Sequence, residues 1–327
     1  MKFLTGLHKM SAPALTGIFF VVLISVFADF LASPLPVFVF HNSSGQQLPA
    51  SPLFDSVFKK GRQPYENLPF RDLAREGKIR AIFPLVAYSP YEPSLNEILI
   101  PPSGGRFGHY MGTDNLGRDV ASRMIHGARN SIFVGFIAVG IALILGVLIG
   151  SIAGYAGGWI DLLLSRLIEV VIVFPTLILI MAVLALLKPS LINIMVVIGL
   201  TGWTGIARTV RGEFLRRRED DYVVAARLFG ASHFRLIFVH ILPNSMAPVL
   251  VLAAFGIAGA VLTESALSFL GIGVPAPEPS WGDVLKVAQS YPDIAWWLAF
   301  FPGLFIFLTV VSLNILGEDL RRILSPR

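Results

Sequence analysis

Four carboxylates lie within or beside long apolar runs of this 327-residue chain: Asp29, Asp161, Glu169 and Glu264. A charge inside a membrane-crossing segment is costly, so it marks a solute path, caps a helix or pairs with another charge. All four fall near the estimated ends of their runs, where interfacial placement or helix capping accounts for them. Glu264 lies deepest by sequence and is the candidate for lining a solute path or for locking helix packing. An ion-coupled carrier would hold several charged or unwound sites near the bilayer midplane, and few positions here qualify.

Other chemistries find little support. The six histidines (His8, His41, His109, His126, His233, His240) form no His-x-x-x-His or His-Glu-x-x-His pair. Cysteine is absent, which removes disulfides, thiolate nucleophiles and cysteine-bound metals. No catalytic, metal or cofactor site is therefore expected. A phosphate-cradling Gly-x-x-x-x-Gly-Lys-Ser/Thr is also missing, so any ATP that drives this chain is bound by separate subunits. No histidine or metal-ligand cluster is expected to accompany Asp114 and Asp119. Thr113, Asp114 and Gly117 suit a turn, and Asp119 with Arg123 stands at the i,i+4 spacing of a helical ion pair.

The elements that hold these residues are mostly apolar. Hydrophobic residues make up 54% of the chain and charged residues 14%, against roughly 25% charged in soluble domains. The missing residues are those that cover a water-facing surface, so the solvent is mostly lipid. Six apolar stretches are long enough to read as spans, at about 14–31, 132–155, 167–187, 191–207, 246–270 and 294–316, and the predicted fold is an all-α integral membrane protein. The first span is read as uncleaved, because its run is about as long as a bilayer-spanning helix and its exit, Phe30-Leu31-Ala32, has a bulky residue where a signal-peptide site wants a small one. Gly146 and Gly150 in the second span form a close-packing Gly-x-x-x-Gly pair, and the third contains Pro175. The expected organisation is an N-terminal tail and first span (1–35), an external loop with an interfacial segment (36–130), a five-helix core (131–316) and a tail (317–327). The external loop is expected to be either a small cap or a mobile linker.

The formal net charge is +5. Basic residues collect at Lys2 and Lys9, at Arg208, Arg211 and Arg216 to Arg218, and at Arg321, Arg322 and Arg327, while Lys188 sits in a short outer turn. Six crossings put the first three groups on one side, as the positive-inside rule requires of cytoplasmic segments. No basic stripe interleaved with aromatics points to nucleic acid.

A charged interruption at 220–243, within a loop of about 208–245, carries the strongest local pattern. Asp220 and Asp221 can cap a short helix. Tyr222, Ala225, Ala226 and Phe229 then fall on one face. Gly230 stands where a left-handed stop belongs, and Ser232 can cap a second helix running to Pro243. Small residues beside aromatics make a shallow docking surface for a partner, not a catalytic one.

This stretch resembles the coupling loop of bacterial ABC importer permeases, in which Glu-Ala-Ala, three residues, Gly and a later Leu-Pro recur. Ala225, Ala226, Gly230, Leu242 and Pro243 keep that register. Val224 stands in place of the glutamate and His240 in place of an apolar residue, so no glutamate contact is carried over. Two further stretches are similar to the dipeptide, oligopeptide and nickel permeases of that family: Gly112-Thr-Asp-Asn-Leu-Gly-Arg-Asp-Val120, and Glu264-Ser-Ala-Leu-Ser-Phe-Leu-Gly-Ile-Gly273 followed by Ser280-Trp-Gly282. The resemblance covers about 108 to the C-terminus and is closest to the second, C-type permease. It implies a permease subunit of an ATP-driven importer in the bacterial inner membrane, both termini cytoplasmic. Its partners would be a homologous permease, two P-loop ATPases and a periplasmic substrate-binding protein. The implied ATPase-coupling residues are Asp221, Tyr222, Ala225, Ala226, Phe229, Gly230 and Pro243. Peptides are the implied substrate; the alternatives are nickel or another small solute, or an ion-coupled secondary transporter.

Overall fold

The computed structural model describes residues 11–42, 49–58, 68–105 and 107–324. Lys2, His8, Lys9, the 59–62 basic run and Arg327 lie outside them. In chain order the elements are α1 (Ala12–Val26), α2 (Ala28–Leu31), β1 (Phe38–Asn42), α3 (Pro52–Phe58), α4 (Phe70–Arg75), β2 (Ile79–Ile82), α5 (Val120–Ala156), α6 (Gly158–Val173), α7 (Thr176–Leu186), α8 (Leu191–Arg217), α9 (Asp221–Leu228) and α10 (His233–Arg235). A π turn (Leu236–Ile241) then leads into α11 (Leu242–Phe269), followed by α12 (Trp281–Ala288) and α13 (Trp297–Leu324).

Among the described residues, four helical segments are long and apolar enough to cross a membrane: α5, α8, α13 and the continuous run His233–Phe269. The pair α6 and α7, bent by 85°, makes a fifth if it is one span. The predicted third span is therefore not straight, and the reason lies at its break. Phe174 is extended (ψ 130°), as a residue before proline tends to be, and Pro175 (ψ 116°) starts α7 without an N–H to give to α6. The second span starts earlier than its apolar run, since α5 begins at Val120. The fifth does too, because Pro243 lies inside a continuous helix. The π turn just before it widens the ladder, with Leu242 N–H reaching Ile237 O, and so makes room for the proline ring.

The chain forms two compact units, Met1–Phe19 with Phe133–Leu267 and Phe307–Arg327, and Phe20–Ile132 with Ser268–Ile306.

In the first unit, helix directions follow from glycine contacts. A Cβ on Gly146 would lie 2.7 Å from Ile206, one on Gly150 2.5 Å from Ala207 O, and one on Gly154 2.6 Å from Phe214 Cβ. The contacts advance together along both helices, so α5 and α8 run parallel with their backbones close. To reach a helix parallel to α5, the intervening α6–α7 pair must carry the chain back. Gly135 faces Ile257 and Val261 while Gly256 faces Val139, which makes α11 antiparallel to α5. The Ser11 N–H and hydroxyl both donate to Asp319 Oδ2, at 2.7 and 2.6 Å. Gly17 lies against Ser312, so the start of α1 is antiparallel to α13.

The second unit holds the segment expected to be a cap or a linker, and its described residues form a small fold. β1 and β2 pair antiparallel, Phe38 opposite Ile82, with an irregularity between Val39 and His41. Leu35, Leu53, Phe70, Ile79 and Ala81 form a small core, and Phe30 at the end of α2 packs on it. Tyr91 donates to Glu278 Oε2 at 3.3 Å. Burial, then the Glu278 carboxylate, push the Tyr91 phenol up to about 12, which keeps it a neutral donor.

Candidate functional site

The interruption at 220–243 folds as its sequence predicts in outline and departs in detail. Asp220 is the N-cap of α9, but neither aspartate side chain caps it. The Asp220 carbonyl instead accepts from Val223 and Val224 N–H. Gly230 has φ +80°, a conformation that costs a side chain roughly 1–2 kcal/mol. Around it Ala231 N–H bonds Ala226 O and Gly230 N–H bonds Arg227 O, both at 3.0 Å, the paired bonds of a Schellman stop. Ser232 caps the next helix, its hydroxyl accepting from Arg235 N–H.

Val223 points the helix inward. It is fully buried, in one cluster with Val210, Phe214, Leu236 and Ile241. Ala226, expected on the docking face, is half-buried against that cluster. Asp221, Tyr222, Ala225, Phe229, Gly230 and Pro243 are exposed, and Tyr222 Oη donates to His240 O at 3.5 Å. Phe229 is 92% and Leu228 83% exposed. Phe234 and Phe238, one turn apart with ring centroids 4.4 Å from each other, are exposed as well. The sequence reading missed Leu228, Phe234 and Phe238. The i,i+4 spacing of the two rings was the available signal, hidden because every neighbouring helix is also apolar.

The element is braced from α5. Tyr155 Oη and His233 Nδ1 are 2.6 Å apart, and Arg218 Nη1 reaches Gly154 O at the end of α5, a favourable place for a cation by the helix dipole. Arg211 and Asp161 form a bidentate pair joining α8 and α6. Glu169 bonds Arg166 on its own helix. These two carboxylates, like Asp29, which pairs with Arg129 at 2.8 Å, stand in ion pairs.

Glu264 is fully buried in α11. Its neighbour Thr263, with Gly259, Thr176, Thr201, Gly205 and Ala142, lines a cavity of about 260 Å³. The walls are glycines, alanines, threonines and larger aliphatic side chains such as Ile180, Ile198 and Leu252, with no charge among them. Glu264 is not among the lining residues.

In the second unit, Thr113 and the residues after Val120 meet Trp281 and the residues after it. Trp281 Nε1–H donates to Met124 O and Trp297 Nε1–H to Thr113 O, each at 3.0 Å. Arg123, 1% exposed, donates to Asp283 Oδ2 at 2.6 Å and to Pro90 O at 2.9 Å. The expected Asp119–Arg123 pair does not form. Asp119 instead caps α5 through Ser122 N–H and holds His109 Nδ1 at 2.7 Å. So a histidine does accompany the aspartates, ten residues away in sequence, although no group among the described residues could hold a metal ion. Asp114 accepts from Leu116 and Arg118 N–H around the positive-φ Gly117, as the turn chemistry predicts.

Residues 146–327 match the family described as the binding-protein-dependent transport system inner membrane component. The chain belongs to that family. It is 42% identical over 249 residues to the dipeptide transport system permease protein DppC of Alkalihalophilus pseudofirmus, covering 76% of this chain and 81% of the relative. A di/tripeptide permease of Pseudomonas aeruginosa matches at 42% over 73% and 81% of the two chains. The oligopeptide transport system permease protein OppC of Bacillus subtilis matches at 38% over 73% and 79%. Two inward-facing structures of the MetNI methionine ABC transporter share the fold, with TM-scores of 0.51 and 0.53 at 15% identity. They cover 62% of this chain and 95% and 96% of theirs. The chain is thus a multi-pass membrane subunit of an ABC transport system, a permease and not an enzyme.

Proposed function

We propose that this chain and a homologous permease form the translocation path of an ATP-driven importer of di- and oligopeptides in the bacterial inner membrane. Two P-loop ATPases bind the ATP that this chain lacks a motif to hold, and a periplasmic binding protein delivers substrate. Peptide substrate rests on the names of the relatives. The coupling assignment rests on one observation: α9 is pinned inward by buried Val223 while Leu228 and Phe229 stand almost fully exposed at its end. A helix held rigidly on one side and apolar on the other suits transmission of a partner's movement.

Six crossings agree with the helix directions. With α6–α7 taken as one bent crossing, α5 and α8 run the same way and α11 the opposite way. The start of α1, tied to Asp319, then shares a side with the end of α13 and with α9, which is the cytoplasm by the arginines of 208–218. Closure of the ATPases moves α9 and the bundle between two packings, and the uncharged, mostly apolar cavity supplies only weak contacts to a peptide. Glu264, buried beside that cavity, serves helix packing.

Uptake of a radiolabelled dipeptide by cells carrying the whole transporter tests this reading. Gly230→Trp is expected to abolish uptake with the membrane-inserted amount unchanged. Uptake at the unmodified rate would refute the coupling assignment.

A further inference from the structure

The folded segment after α1 carries a run of phenylalanine rings of which its own small core uses only Phe30. Phe27 touches Phe30 with centroids 6.4 Å apart, Phe30 touches Phe54 at 5.3 Å, and Phe54 touches both Phe58 at 6.3 Å and Phe38 at 6.0 Å. Phe27, Phe38, Phe54 and Phe58 are exposed, as are Phe40 and Val57 nearby in the chain, and Phe58 is 72% so. Contiguous exposed apolar surface of this kind marks a membrane or protein contact.

We infer that this patch rests in the outer leaflet of the bilayer and anchors the external fold to the membrane surface. Continuity with α1 selects lipid as the occupant. Phe20, Val22, Val26 and Phe27 of that helix and its end are exposed too; with α1, an apolar helix of 15 residues, taken as a span, the ring series begins on its lipid-facing surface and runs unbroken onto α3 and β1. Phe30 joins the two, one edge in the ring series and the other on the small core, which fixes the patch to the end of α1. Helix α3 is amphipathic in the sense this requires: Pro52 and Leu53 are buried, and Phe54, Val57 and Phe58 face out. Elsewhere the same fold exposes charge, at Arg75, Glu76, Lys78 and Arg80. The inference rests on the reading of α1 as a membrane span.

The absence of cysteine permits a clean test. Nitroxides at Phe54→Cys, Phe58→Cys, Phe20→Cys and Glu76→Cys, one at a time in the whole transporter in lipid nanodiscs, report collisions with oxygen and with a nickel chelate. Expected is a several-fold excess of oxygen over nickel collisions at positions 20, 54 and 58, and the reverse at 76. Phe58 contributes least to folding, so its label reads the patch even if Phe54→Cys perturbs α3. Nickel access at 54 and 58 equal to that at 76 would overturn the inference, as would exclusion of both reagents, which would mean a covering protein. Nickel access at position 20 would remove the α1 reading and the inference together, whereas a lipid signal at 20 alone removes only the inference.

Discussion

Gly150 and Ala207 are in backbone contact: a methyl group on Gly150 would stand 2.5 Å from the Ala207 carbonyl oxygen. This approach, repeated at Gly146 and Gly154, sets α5 and α8 parallel and gives the arginine-rich end of α8 its place beside the end of α5. Gly150→Leu is expected to destabilise the transporter by about 1–3 kcal/mol, the usual cost of overpacking, read as a lower Tm of the purified assembly. Gly140→Ala, where a Cβ meets nothing within 4 Å, should leave Tm unchanged. Equal melting of both variants would contradict the close packing.

Val223 couples α9 to the bundle by burial alone. Truncation to alanine removes methyl groups from a filled cluster, at a cost of roughly 1–3 kcal/mol. Locally that loosens α9, so transport per ATP hydrolysed should fall more than the amount of assembled transporter. Unchanged stoichiometry in reconstituted vesicles would show that α9 does not need this anchor.

Arg123 and Asp283, 160 residues apart, clamp the start of α5 to α12. Arg123→Met leaves the partly buried Asp283 carboxylate without its guanidinium partner and is expected to cost about 1–3 kcal/mol. Arg123→Met combined with Asp283→Leu should cost clearly less than the two single changes added together. Additive losses in thermal unfolding would remove the pair from the account.

Glu264 separates two roles by substitution. If it serves packing, Glu264→Ala lowers Tm and Glu264→Gln, which keeps volume and hydrogen bonding, leaves both Tm and dipeptide uptake near the parent. Uptake abolished by Glu264→Gln at unchanged Tm would instead make it a charge in the path.

How much of this was legible in the sequence depends on range. Short-range chemistry read well: the Asp114 turn with Gly117, the Gly230 stop, the Ser232 cap and the Gly146–Gly150 pair each depend on neighbours a few residues away. Longer-range choices did not. Arg123 had an aspartate at i−4, yet its partner came from another motif, because Asp119 was already committed to capping α5. Pro175 is compatible with a kinked straight span, and only packing decides for an 85° bend. Val223 and Ala225 are both small and apolar; which one faces inward follows from the exit angle of α8, which no local pattern encodes. The small fold around β1 and β2 rests on Leu35, Leu53, Phe70 and Ile79, too widely spaced to show a period.

The central claim is that α9 presents an apolar end to a separate ATPase. The most direct measurement is mild-detergent purification of the tagged chain from its native membrane, as it stands and as Phe229→Asp, with mass spectrometry of what accompanies it. Because Phe229 is 92% exposed, the substitution leaves folding intact and places a charge in the contact, where losing a central anchor costs about 2 kcal/mol or more. The account predicts a homologous permease and P-loop ATPases with the unmodified chain, and with Phe229→Asp the permease without the ATPases. Purification of the chain alone, or undiminished ATPase with Phe229→Asp, would contradict it.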